Sequence, residues 1–312
     1  MGAISLFLVI GLLAVFKNKR GSSKELLSEQ AMPLKADEEV SHAEKEACLE
    51  KYLQPVQDDV AEEEVDQVWR LFTKGKNKLP VVETIQYTHR VSWMQGRPAW
   101  LTDYASQYAT SRHFIARSLN GKRDYYTQKV RSGDSFNVLK QDISFYLVVD
   151  LSRCKMWFYV CDLANKETYL LKTYKVGLGR LSSESYSGLL TPKGTFSLGS
   201  KVAIYKPGVR GYFQGNEVEL VQIFGTRWLP FEGVLSDAGD NPKGYGLHGA
   251  PWVYDEQSCS YHENLVTIEK YDSDGCIRLS QNDMEELFAI VITKKTIVEI
   301  VTDFRDAKIP GI

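Results

Sequence analysis

The residue types able to carry chemistry gather in two stretches, Tyr245-Gly-Leu-His-Gly-Ala250 and Ser273-Asp-Gly-Cys-Ile-Arg-Leu279. A free thiol has a pKa of about 8.5, so a nucleophilic cysteine needs a base or a positive local field to react at neutral pH. His248 is the candidate base for Cys276. Gly275, directly ahead of the thiol, allows a tight turn that could aim the backbone amides of Gly275 and Cys276 at one point and so hold an oxyanion. Gly246 and Gly249 flank the histidine and let the chain pass close to a ligand. Ser280-Gln-Asn-Asp283 reads as a capping box opening a helix from Met284 to about Ile290, so the thiol is expected near a helix N-terminus whose partial positive charge favours thiolate.

These residues resemble the YkuD-type L,D-transpeptidases of bacterial cell walls, whose motif is a His-Gly followed by Ser-His-Gly-Cys-Ile-Arg. Ile143 to Lys155 resembles the opening strand and turn of that domain, and Thr191-Pro-Lys-Gly-Thr-Phe196 resembles its Thr-Pro-x-Gly-x-Phe segment. The resemblance runs from about 143 to 303. It implies Cys276 as nucleophile and His248 as base, with Gly249 beside it, its carbonyl the simplest group to fix the His248 tautomer. Ser273, Asp274, Gly275 and Arg278 would form the substrate and oxyanion side, with Ser273 orienting the loop and Arg278 holding a peptide carboxylate.

Two departures stand out. Asp274 occupies the usual histidine slot, where a carboxylate would raise the thiol pKa unless turned away or paired. The interval between His248 and Ser273 is long, implying an inserted loop with Cys259 and His262.

The implied reaction is a 3→3 cross-link between peptidoglycan stem peptides through a Cys276 thioester, with no metal or organic cofactor. Water as acceptor would make the same site an L,D-carboxypeptidase, and a protein amine would make it an anchoring enzyme. From a different class comes a catalytically weakened peptidoglycan-binding protein of the same fold. A further rival joins His248, Cys259, His262 and Cys276 in a zinc site.

The elements that must position these residues read as a mainly β domain, a YkuD-like mixed sheet or sandwich with one helix after Cys276, preceded by a small α+β region. Short strands are expected at 145–150, 155–161, 168–176, 194–198, 219–224 and 296–301. Ahead of them, Val65, Val68, Trp69 and Phe72 have helical spacing, predicting a helix over about 59–73. Residues 82–93 have strand character, and Leu101 to Leu119 predict a helix ending at Asn120-Gly121. Arg131-Ser-Gly-Asp-Ser-Phe136 resembles the opening of a LysM repeat but is followed too soon by a strand. Gly177-Leu-Gly179 lacks the third glycine and helix of a dinucleotide fingerprint.

The division expected is an apolar signal or anchor over 1–20, a polar linker over 21–54, the α+β region over 55–142, the catalytic domain over 143–303 and a tail over 304–312. The uncharged run from Ala3 to Phe16 falls short of the ~20 residues of a comfortable span. Basic residues after it would by the positive-inside rule hold the body in the cytoplasm, yet a cell-wall substrate requires export, so the expected location is the extracytoplasmic face, anchored through this segment.

The 312 residues are 43% hydrophobic and 25% charged, with net charge -2 and pI near 6.3, which is ordinary globular composition without the basic footprint of a nucleic-acid binder. Five cysteines form no disulfide framework in this reading, since Cys154 and Cys161 would lie ~23 Å apart along one strand. Composition gives no oligomeric state.

Overall fold

The computed structural model describes residues 64–123, 125, 128–185, 187–236 and 241–311. The expected anchor and linker lie outside the described residues. The chain first lays down α1 (Trp69–Phe72), β1 (Val82–Gln86), α2 (Leu101–Gln107), α3 (Arg112–Asn120) and β2 (Ser135–Leu139). Strands β1 and β2 pair antiparallel as a two-stranded sheet.

Three elements here differ from the sequence expectation. The helix expected over 59–73 is a single turn in the described residues, because residues 65–67 run extended along the domain's edge strand. Gln67 donates to the Leu171 carbonyl (2.7 Å), and Thr173 donates to that of Val65 (2.9 Å). The helical spacing is then used only in part: Val68 and Leu71 are buried, while Trp69 is exposed. The helix expected over 101–119 is split at Ala109, whose φ of 43° breaks the ladder. Ser111 restarts it, its hydroxyl accepting from the Phe114 amide (3.0 Å). Gly121 then closes α3 in the left-handed conformation (φ 77°), as its sequence suggests. The strand expected over 82–93 stops at Gln86.

The second half is mainly β. Strands β3 (Ile143–Asp150), β4 (Lys155–Asp162) and β5 (Glu167–Lys175) form an antiparallel meander. Then follow β6 (Leu178–Gly179), β7 (Gly194–Leu198), β8 (Ala203–Ile204), the hairpin β9 (Arg210–Phe213) and β10 (Asn216–Glu219), the short helix α4 (Val221–Phe224) and β11 (Arg227–Ser236). Residues 219–224, expected as a strand, thus turn into α4; Gly225 ends it with φ +58°, where a Cβ would strike the Gly249 backbone at 2.7 Å.

The site is carried by β12 (Gly246–Gly249), the hairpin β13 (Trp252–Asp255) and β14 (Ser260–Glu263), β15 (Tyr271–Ser273), β16 (Ile277–Leu279), α5 (Gln281–Val291) and β17 (Thr296–Val301). The long interval after His248 is therefore an ordered hairpin and one 3-10 turn.

The main sheet runs in the order β16-β12-β11-β7-β17-β3-β4-β5. Strand β17 lies parallel to β3 and antiparallel to β7, which closes the middle of the sheet with the β-branched segment predicted for it. Helix α5 packs Met284, Leu287, Ile290 and Val291 into the core, and Ser280 caps it by accepting from the Asp283 amide (3.2 Å). That core also takes in Val68, Leu71, Val82, Phe114 and Leu139, so the first elements and the sheet share apolar interior.

Candidate active site

Strand pairing brings the two motifs together. Strands β12 and β16 are parallel, with Leu247 opposite Ile277, His248 opposite Arg278 and Gly249 opposite Leu279. Side chains alternate faces along a strand, so Leu247, Ile277 and Leu279 enter the core while His248 and Arg278 share the other face. Cys276, one residue ahead of β16, falls on that face as well. Burial repeats the alternation: Ser273, Gly275, Ile277 and Leu279 are buried, whereas Asp274, Cys276 and Arg278 are half-buried. One face of one strand edge therefore carries Asp274, the thiol and the guanidinium, with the imidazole on the neighbouring strand.

His248 is 3% exposed and packs edge-on to Phe224 (5.5 Å) and against Trp228 (6.1 Å), its antiparallel partner on β11. Its Nδ1 lies 2.7 Å from the Gly249 carbonyl. A carbonyl only accepts, so Nδ1 carries the proton and Nε2 keeps the lone pair a base requires. Burial first, with a contribution from the nearby Arg278 charge, lowers the imidazole pKa to about 3 even though the Gly249 bond favours the charged form.

The loop ahead of the thiol is fixed from inside. Ser273 donates from Oγ to the Cys276 carbonyl (2.7 Å) and accepts from the Gly275 amide (3.1 Å). The Gly275 amide is thereby engaged by Ser273 and is not the open oxyanion donor expected from the sequence. Gly275 itself has φ +111°, and a Cβ there would meet Tyr245 at 2.3 Å and the Leu190 carbonyl at 2.6 Å. Only glycine fits.

The thiol is not beside a helix N-terminus. Strand β16 intervenes between Cys276 and the cap of α5, which removes the expected dipole contribution. Burial instead pushes the Cys276 pKa up to about 12, against the opposing effects of the Gly246 N–H directed at sulfur and of Arg278, with Asp274 adding a smaller upward push. Burial thus favours the neutral thiol and imidazole over the thiolate–imidazolium ion pair.

Asp274 is paired. Its carboxylate forms an ion pair with Arg180, and its second oxygen accepts from Gln214 Nε2 (3.3 Å). Arg278 pairs with Asp272 through Nη1, and its Nε is buried without a protein partner among the described residues. Arg180 and Phe224 carried no mark in the sequence, because strand pairing over long separations delivers them; Tyr245 and Gly246 stood in the histidine motif, but their contacts with Gly275 and the Cys276 sulfur were not legible there.

The zinc alternative is corrected: among the described residues no group of three or more His, Cys, Asp or Glu side chains could hold a metal ion. His248 is buried between strands, whereas Cys259 is exposed at the tip of the β13–β14 hairpin and His262 bonds to Ser258 (2.8 Å) and Ser260 (3.0 Å) there. The four described cysteines are free thiols.

Among solved structures, the chain is similar to Bdellovibrio bacteriovorus Bd1075, with 14% identity and a TM-score of 0.34 over 51% of this chain and 48% of that one. It is also similar to the helical cell shape determining protein Pgp2 from Campylobacter jejuni, with 18% identity and a TM-score of 0.35 over 54% and 50%. The chain thus spans about half the length of these structures. No curated protein matches. Residues 144–300, just over half of the chain, match the YkuD family, described as the L,D-transpeptidase catalytic domain, and the chain therefore belongs to the YkuD family of L,D-transpeptidase catalytic domains.

Proposed function

We propose that this protein is a cysteine L,D-transpeptidase acting on peptidoglycan stem peptides at the extracytoplasmic face of the envelope. The observation that carries the reading is the pairing of β12 with β16, which sets an Nδ1-protonated His248 and Cys276 on one face beside Arg278. As Cys276 Sγ bonds to the carbonyl carbon of the third stem residue, His248 Nε2 takes the thiol proton. The oxyanion is held by backbone N–H groups, with Cys276 N–H the candidate. The carbon–nitrogen bond to the terminal D-alanine then breaks, and the proton on Nε2 passes to the departing amine. An amine of a second stem attacks the thioester, loses its proton to His248 and releases the thiol, leaving a 3→3 cross-link. Water in the same step gives the carboxypeptidase outcome.

Arg278, with a buried Nε awaiting an acceptor, is suited to a stem carboxylate. Pairing with Arg180 offsets the Asp274 charge, which supports catalysis over the weakened binding-protein reading. The run from Ala3 to Phe16 would tether the domain to the membrane; among the described residues no helix is long and apolar enough to cross one.

The test is intact mass after incubation with a carbapenem. One adduct is expected, absent in Cys276→Ala and formed at least about a hundredfold more slowly in His248→Gln, within the range general-base catalysis supplies. A folded protein that takes no adduct would leave the binding-protein reading in its place.

A further inference from the structure

The departure at position 274 adds a charged pair beside the nucleophile. Arg180 follows β6 and is fixed by its backbone, donating to the Ser273 carbonyl (2.9 Å) and accepting from the Leu190 amide (2.9 Å). From there its guanidinium meets Asp274, two residues before the thiol. The side chains are 40% and 37% exposed, so the pair is open to a ligand and not sealed in the interior. A guanidinium carries five donors and a carboxylate about four lone-pair sites, so each can take a further partner while the pair persists. Gln214, at the turn of the β9–β10 hairpin, holds the second Asp274 oxygen and fixes which way the carboxylate faces.

We infer that the Arg180–Asp274 pair recognises the zwitterionic side-chain end of a diamino diacid at the third position of the stem peptide, Arg180 taking its carboxylate and Asp274 its ammonium. The inference rests on the peptidoglycan reading and deepens it. If the Cys276 thiol attacks the carbonyl of the third residue, that residue lies against the loop that carries both Cys276 and Asp274 on one face, which brings the pair within range of a long side chain. A side chain with both charges on one carbon matches a half-exposed pair of opposite charges. A lysine side chain in that position offers only the ammonium and leaves Arg180 without its ligand.

Binding is measured by calorimetry on the Cys276→Ala protein, using a tetrapeptide stem with meso-diaminopimelate at the third position and the same stem with L-lysine. The diaminopimelate stem is expected to bind on the order of tenfold more tightly, as one charge-assisted contact allows. In the Arg180→Ala and Arg180→Gln derivatives, each checked by thermal melting, the ratio should fall to about one. Asp274→Asn should weaken both stems, since the ammonium is common to them. Equal affinity for the two stems in the Cys276→Ala parent overturns the inference. So does a preference that survives loss of Arg180, which would mean that Arg180 only braces the loop. Failure to bind either stem removes the peptidoglycan reading itself, and with it this one.

Discussion

At the scale of single residues, the site is dominated by burial. Burial favours the neutral form of both His248 and Cys276: the imidazole pKa is lowered by desolvation and the thiol pKa raised by the same cause. Iodoacetamide should therefore alkylate Cys276 slowly at pH 7, with the rate rising roughly tenfold per pH unit through pH 9 and no plateau below it. A plateau near neutrality would mean an ion-paired thiolate and overturn the neutral-pair account. The acid side has its own signature. His248 and His113, lowered mainly by burial to about 3 and about 4, stay neutral in the fold while the unfolded chain protonates below pH 6.5. Protons then favour the unfolded state, so stability should fall as pH drops from about 6.5 to 4, at up to about 1.4 kcal/mol per pH unit for each group. Denaturant titration at several pH values measures it, and His113→Gln should flatten the slope. Gly275→Ala should cost about 2 to 4 kcal/mol and abolish acylation, through strain at φ +111° and collision with Tyr245. A Gly275→Ala protein of unchanged melting temperature would contradict the steric argument.

At the scale of elements, the thiol's position depends on β16 being pinned at both ends, by the Ser273 hydroxyl before it and by the capped start of α5 after it. Ser280 accepts from the Asp283 amide and donates to Asp283 Oδ2 (2.6 Å). Ser280→Ala should remove about 1 kcal/mol, read by chemical denaturation; a loss within error would mean that water replaces the cap. This helix and its cap were legible in the sequence, as were β3, β4, β7 and β17, because short apolar or β-branched runs between turn residues and a capping box are local signals. The strand β16 was hidden in the motif itself, read as a loop leading to a helix, since Ile277-Arg-Leu279 is too short for periodicity to register. Residues 65–67 misled for the opposite reason. Their helical spacing is real, but the unpaired edge of β5 offered backbone hydrogen bonds that a helix turn there could not match. The pairing of His248 with Cys276 was readable as chemistry, yet the burial that sets its electrostatics and the Gly246 N–H directed at sulfur come from how the strands pair and pack.

At the scale of the whole molecule, the elements before β3 are built into the sheet's interior. Val68, Leu71 and Phe114 share one core with Phe158, Leu287 and Ile290. The Ser111 hydroxyl donates to the Ala289 carbonyl at the far end of α5. Lys172, on β5, ties Asp66 (3.3 Å) from the first segment to Asp283 (3.0 Å) and Glu286 (2.9 Å) of α5. Burial opposes the Lys172 charge, but the carboxylates outweigh it and hold the ammonium pKa raised. Helix α5 thus takes support from the sheet on one side and from the first elements on the other, and it adjoins the strand that carries Cys276. Residues 64–311 should accordingly melt as one cooperative transition in calorimetry. A protein beginning at residue 143 would uncover the apolar faces that receive Val68, Leu71 and Phe114, each burial being worth about 1.5 to 3 kcal/mol. It should melt far lower or precipitate, and lose carbapenem acylation with the fold. Two separable transitions in the longer protein, or a truncated domain that acylates normally, would mean that the first elements are an appendage and that the edge carrying Cys276 stands without them.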